Sequence, residues 1–149
     1  MSELFYRIIV PTDFSPSSEE AWALAQRLAT ALGSEIVLVH VFTQAPLWGE
    51  GPFNSEHVRE VFAAGRTWVT DKLEEWARPA RTAGIRVRPV LREGVPHEEI
   101  VALATDERAD LILLGTQGRG GLNRALLGSV ADRVVRLAPC PVLTVRGAS

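Results

Sequence analysis

The 149-residue sequence contains a single cysteine, Cys140, and a single lysine, Lys72. One cysteine cannot form an intramolecular disulfide or a thiolate cluster for zinc or iron–sulfur, and its scarcity favours a reducing compartment. A lysine-based phosphate loop needs its lysine directly after a glycine, whereas Lys72 follows Asp71. That type of nucleotide-binding motif is therefore excluded.

The sequence also lacks a large excess of either charge and any long apolar run. Sixteen basic and 18 acidic residues give a formal net charge of −2, so a general nucleic-acid binder is not expected. No apolar run approaches the roughly 18 residues of a membrane span, and the N-terminal segment lacks the basic start of a secretory signal. We expect a soluble cytoplasmic protein with no membrane partner.

Short apolar runs alternate with segments of helical period, the pattern of a chain built from strand–helix units. The length predicts one domain spanning residues 1–149. The pattern predicts five strands, at 4–10, 36–42, 85–91, 110–115 and 142–146. Four helices are predicted between them, at 16–32, from about 56 to 83, 96–108 and 129–137. Ser15 as a cap, Pro16 in the first turn and Gly33 bound the first helix, and Pro79 should kink or fray the last turns of the second.

The composition of the strands predicts their order in the sheet. The second and fourth are almost continuously apolar, as expected of strands covered by helices on both faces. The third alternates arginine with apolar residues and contains Pro89, which favours an edge. We therefore predict an α/β, Rossmann-like fold with one open five-stranded parallel sheet, order 3-2-1-4-5. Ligands bind such sheets beyond the strands at the switch point, here after Val10 and Leu114.

A glycine-rich segment follows the fourth strand at residues 115–128. Its glycines allow several backbone N–H groups to converge on an anion, and the helix that begins after Gly128 favours phosphate at its N-terminus. Arg119 and Arg124 could add positive charge. The alternative is an ordinary connection in which Ser129 and Asp132 cap the helix.

The opposite wall is predicted at the end of the first strand, where the sequence runs PTDFS at 11–15. The Asp13 carboxylate could accept hydrogen bonds from ribose hydroxyls or hold a magnesium ion, and it could equally cap the first helix alongside Ser15. His40 and Val41 end the second strand and offer backbone groups and an apolar wall for a flat base. The three histidines lie at no metal-ligand spacing, and no catalytic residue is predicted.

PTDFS at 11–15, GVPHEEI at 94–100 and the segment 115–146 together resemble the universal stress protein family along nearly the whole chain. The spacing Gly115-x2-Gly118-x9-Gly128-Ser129 is similar to that of the family's ATP-binding branch. The resemblance implies ATP as the ligand, with magnesium as a candidate accompanying ion at Asp13.

The resemblance also implies a role for each matched position. Asp13 would contact the adenosine moiety, with Pro11 and Thr12 beside it, and the backbone of Val41 would recognise adenine. The remaining positions would lie along the nucleoside and the phosphates, namely Leu114, Gly115, Gly118, Gly128, Ser129 and Val130. Gln117 departs from the histidine that many members carry.

The last strand would form an exposed edge, and the resemblance implies that it pairs with its copy in a homodimer. We expect an ATP-binding stress or signalling module that acts on an unidentified downstream protein. Two alternatives remain open. One is a slow magnesium-dependent ATPase or phosphotransferase, and the other is a structural dimer that binds no nucleotide.

Overall fold

The computed structural model describes residues 4–43, 56–116 and 127–147. Its strands are β1 (Arg7–Pro11), β2 (Glu35–Phe42), β3 (Arg86–Glu93), β4 (Leu111–Gly115) and β5 (Val142–Val145). Its helices are α1 (Pro16–Leu32), α2 (Glu56–Thr82), α3 (Pro96–Asp106) and α4 (Ser129–Leu137). The strands form one sheet in the order β3-β2-β1-β4-β5, and every pairing is parallel. The predicted fold class and strand order are confirmed.

Alternate residues of the central strands pack into two separate cores. Ile8 and Val10 of β1 pack with α1 and α2, whereas Ile9 between them packs with α3 and α4. β2 and β4 alternate in the same way, and their apolar residues are almost completely buried except for Val41 and Phe42 at the end of β2. The apolar runs of these strands are continuous because helices cover both faces of the sheet.

Helix α1 begins and ends at the predicted signals. Ser15 is its N-cap and accepts a hydrogen bond from the Ser18 N–H, and Pro16 occupies the first turn. Gly33 closes the helix in the left-handed conformation, at φ +70°. This start fixes α1 directly after the loop that leaves β1.

Several predicted boundaries differ from the structure, and the expected fraying of α2 at Pro79 does not occur. β1 begins at Arg7 rather than Leu4 because Phe5, at φ +53°, interrupts the extended backbone. α3 ends at Asp106, and Arg108 has a positive φ of 52°. We also expected Pro79 to kink or fray the end of α2, yet the helix continues to Thr82. Buried alanines on both sides of the proline pack this turn against the core and hold it helical.

Within the part of the chain that the structure describes, no helix is both long and apolar enough to cross a membrane.

Candidate functional site

A cleft of about 480 Å³ opens where β1 and β4 end, at the switch point of the sheet. Its volume falls in the range of small-molecule sites. Nine of the eleven predicted site residues line it, namely Pro11, Thr12, Asp13, Val41, Leu114, Gly115, Gly128, Ser129 and Val130. The other two, Gly118 and Arg119, lie outside the described residues, as does Arg124.

The loop after β1 holds the Asp13 carboxylate in a fixed position. Asp13 Oδ1 accepts hydrogen bonds from the Ser15 N–H at 3.0 Å and from the Ser18 hydroxyl at 2.8 Å. Thr12 Oγ1 accepts from the Phe14 N–H at 2.9 Å. Ser15, and not Asp13, is the N-cap of α1. The Asp13 carboxylate braces the cap residue and Ser18 from the turn before the helix, and it also lines the cleft.

The end of β2 presents backbone groups toward the cleft. The main-chain ladder between β1 and β2 runs no further than Pro11 opposite Val39, with Thr12 N–H donating to Val39 O at 2.8 Å. Backbone groups of alternate strand residues face opposite neighbours, so the N–H and C=O of Val41 face the same side as those of Val39. Phe42 O faces the other way and accepts from Gly94 N–H at 3.1 Å. Val41 thus offers one donor and one acceptor where β1 has ended.

The N-terminus of α4 closes the other side of the cleft. Its N-cap is Gly128, in an extended conformation at φ −61° and ψ 156°, and within the described part of the chain no side chain caps this helix. The N–H groups of the first helical turn have no intrahelical acceptors, and they carry the positive end of the helix dipole. Ser129 and Val130, which bear two of these groups, line the cleft.

The alternative in which Ser129 and Asp132 form a cap is contradicted. Ser129 is the first residue of the helix rather than its N-cap. The Asp132 N–H donates to Gly128 O at 2.9 Å, and its carboxylate pairs with Arg136 at 3.2 Å. Gly128 in turn donates its N–H to Thr116 O at 2.5 Å, which ties the helix start to the residue after β4.

Sequence reasoning missed an apolar wall of the cleft and several of its polar residues. Pro96 and Ile100 of α3 and Ala131 of α4 line it, and Ile100 packs in the core with Val39 and Leu114. The signal for Pro96 and Ile100 was their four-residue spacing, which places both on one face of α3. The other residues that were missed are Ser18, Val39, Phe42, Thr43 and Thr116, whereas His40, named from the sequence together with Val41, also lines the cleft.

Asp13 is the one acidic residue among the described residues that line the cleft. Across residues 4–43, 56–116 and 127–147, no group of three or more His, Cys, Asp or Glu side chains could hold a metal ion. A lone carboxylate suits Mg²⁺ that is held mainly by phosphate oxygens and water. It does not suit an ion held by protein ligands alone.

Residues 5–146 match the model of the universal stress protein family. Universal stress protein MJ0531 of Methanocaldococcus jannaschii is 38% identical, over 96% of this chain and 83% of its own length. The solved structure of MJ0577 from the same organism superposes with a TM-score of 0.86 at 31% identity, over 98% of this chain and 99% of that one. A universal stress protein solved in complex with cAMP superposes with a TM-score of 0.73 at 25% identity, over 98% of this chain and all of that chain. The chain belongs to the universal stress protein family.

Proposed function

We propose that this protein is an ATP-binding stress or signalling module, with ATP bound in the cleft at the switch point. The observation that carries the proposal is that one cleft combines the N-terminus of α4, which no described side chain caps, with the Val41 backbone edge. The first is suited to phosphate and the second to a base. The related universal stress protein in complex with cAMP supports an adenine nucleotide as the ligand class.

The backbone of Val41 binds the adenine base in this proposal. Its backbone N–H can donate to N1 of adenine, and its carbonyl can accept from the N6 amino group. Val39, Ile100 and Leu114 line the same cleft and supply an apolar surface for the ring.

Asp13 and the start of α4 account for the sugar and the phosphates. The Asp13 carboxylate accepts hydrogen bonds from ribose hydroxyls, and the N–H groups of Ser129 and Val130 hold phosphate oxygens. By resemblance to the family, Gly118 completes the phosphate site, and Arg119 in the same glycine-rich segment adds positive charge to it. Asp13 is the residue that would hold Mg²⁺, and the ion would neutralise part of the phosphate charge.

The described chain also supports a homodimer through β5. This strand pairs with β4 and forms the edge of the sheet. Leu143 of β5 and Val135 and Leu137 of α4 are exposed. An exposed edge with apolar neighbours is a surface that a second copy can cover.

The proposal is tested by titrating the protein with ATP, ADP, AMP and cAMP in a calorimeter, with and without Mg²⁺. UTP serves as the matched control because it carries the same triphosphate with a different base. We expect ATP to bind at least about tenfold more tightly than UTP, a difference of about 1.4 kcal/mol. No binding of any adenine nucleotide below millimolar concentration contradicts the proposal.

The same samples distinguish a binding module from an enzyme. Phosphate release from ATP, followed over hours with excess Mg²⁺, measures turnover directly. We expect binding without appreciable release, because the cleft offers Asp13 as its one carboxylate among the described residues. Steady release that saturates with ATP would instead support the slow ATPase.

A further inference from the structure

The side chain of His40, on β2, forms a hydrogen bond with the residue that follows β1, and both residues line the cleft. Its Nδ1 lies 2.8 Å from the main-chain carbonyl oxygen of Thr12. A carbonyl oxygen accepts hydrogen bonds and does not donate them, so Nδ1 carries the proton in this arrangement. His40 is half-buried and is itself one of the cleft residues.

This hydrogen bond continues the connection between β1 and β2 beyond the end of their ladder. The last main-chain bond between the two strand ends runs from Thr12 N–H to Val39 O. One residue further on, the backbone of His40 faces β3, in register with Leu91. The side chain of His40, rather than its backbone, provides the next link to Thr12.

The imidazole ring is held in place by Phe14. The two rings stack with centroids 5.2 Å apart and an interplanar angle of 21°. Phe14 adopts φ +63°, which is unusual for a bulky residue and persists where the surroundings enforce it. Trp76 and Trp68 contact its ring edge-on, with centroids 5.3 and 5.8 Å away. The orientation of His40 is therefore fixed by packing as well as by its hydrogen bond.

We propose that His40 is a positioning residue that sets the separation between Asp13 and Val41. Asp13 directly follows Thr12, and Val41 directly follows His40, so the hydrogen bond joins the neighbours of the two groups. The inference rests on the proposed function, in which one adenosine meets both Asp13 and Val41. Without the link, each group can still bind its own part of the ligand, but the two parts no longer fit together.

The first test needs no ligand. Long-range ¹H–¹⁵N correlation spectra of the free protein, at a pH where the ring is neutral, report which imidazole nitrogen carries the proton. We expect His40 to be protonated at Nδ1. A neutral His40 protonated at Nε2 cannot donate to Thr12 O from Nδ1, and that result overturns the inference.

The second test compares two variants and two ligands. His40→Leu removes the donor, whereas His40→Asn retains a side-chain N–H donor close to the Nδ1 position. AMP and 2′,3′-dideoxy-AMP differ in the ribose hydroxyls that Asp13 would bind. We expect the wild type to prefer AMP by roughly tenfold, as for hydrogen bonds to a charged group. His40→Leu should bring this ratio close to one, and His40→Asn should restore part of it.

The ratio of the AMP and 2′,3′-dideoxy-AMP affinities distinguishes a positioning role of His40 from a role in protein stability alone. A purely structural role for His40 would weaken both ligands equally and leave the ratio unchanged, which overturns the inference. Equal affinities in the wild type overturn it as well. If the wild type binds neither ligand, ATP and 2′,3′-dideoxy-ATP replace the pair, and if no adenine nucleotide binds, the proposed function fails and the inference falls with it. If His40→Leu does not fold, His40→Phe, which keeps a stacking ring without the donor, takes its place.

Discussion

A side chain at Gly115 would collide with the start of α1. A Cβ built on Gly115 lies 2.1 Å from Ser17 Oγ and 2.7 Å from the Ser17 carbonyl carbon. Packing against α1 therefore requires glycine at the end of β4. The backbone of this glycine also lines the cleft. Sequence reasoning attributed this glycine to close approach of a ligand, and the neighbouring helix supplies a different reason.

Gly115→Ala should destabilise the protein. The clash involves the Ser17 backbone, which a rotamer change cannot relieve, so we expect a loss of about 2 kcal/mol or more in the free energy of unfolding. Urea denaturation measures it. Gly65→Ala in α2 is the matched control, because its Cβ would meet the side chain of Phe42 at 3.2 Å rather than backbone. An equal loss in both variants would contradict the packing argument.

A carboxylate at the start of α4 should compete with phosphate for the same N–H groups. Gly128 has the extended conformation of an ordinary N-cap, so Gly128→Asp and Gly128→Asn should both cap the helix and keep or slightly raise stability. Only the aspartate adds negative charge. We expect ATP to bind Gly128→Asp at least roughly tenfold more weakly than Gly128→Asn, by calorimetry at low salt. Equal affinities would show that phosphates lie elsewhere.

A charge on β5 should separate the proposed dimer. Leu143 is 37% exposed on this edge strand, and lysine there places a repelling pair across any twofold contact. Light scattering at micromolar concentration should give twice the 16.3 kDa chain mass for the wild type. Leu143→Lys should give the single mass. Val61→Lys, at an exposed position on α2, should remain dimeric, and a monomeric wild type would refute the dimer itself.

The Cys140 thiol should react slowly in the folded protein. Burial raises the pKa of Cys140 above its ordinary value of 9.0, and the charge of Asp110 raises it further. Less thiolate is present at a given pH than in the unfolded chain, so modification by a disulfide reagent at pH 8 should be slower than in urea. At a pH below the pKa of Cys140 in the unfolded chain, the raised pKa does not change the stability of the protein. As the pH rises from there through the pKa of Cys140 in the folded protein, the stability falls. Equal rates in both states would contradict this prediction.

The prediction from sequence succeeded where the signal was local. Each strand's own composition indicates whether helices cover both of its faces. The continuous apolar runs of β2 and β4 predicted central strands, the proline and arginines of β3 predicted an edge, and the resulting strand order is correct. The Ser15 cap and the αL Gly33 were predicted for the same reason. The interpretation of Ser129 as a cap failed because a serine–aspartate pair fits the first turn of a helix as well as its cap.

The sequence by itself determined a doubly covered parallel sheet, its switch point and the residue types available there, because these follow from hydrophobic pattern and chain order. Only the tertiary structure decided that α3 contributes the wall at Pro96 and Ile100 and that Ser17 requires glycine at position 115. The link from His40 to Thr12 depends on where β1 ends beside β2. Register and packing join residues far apart in the chain, and no local pattern encodes where they meet.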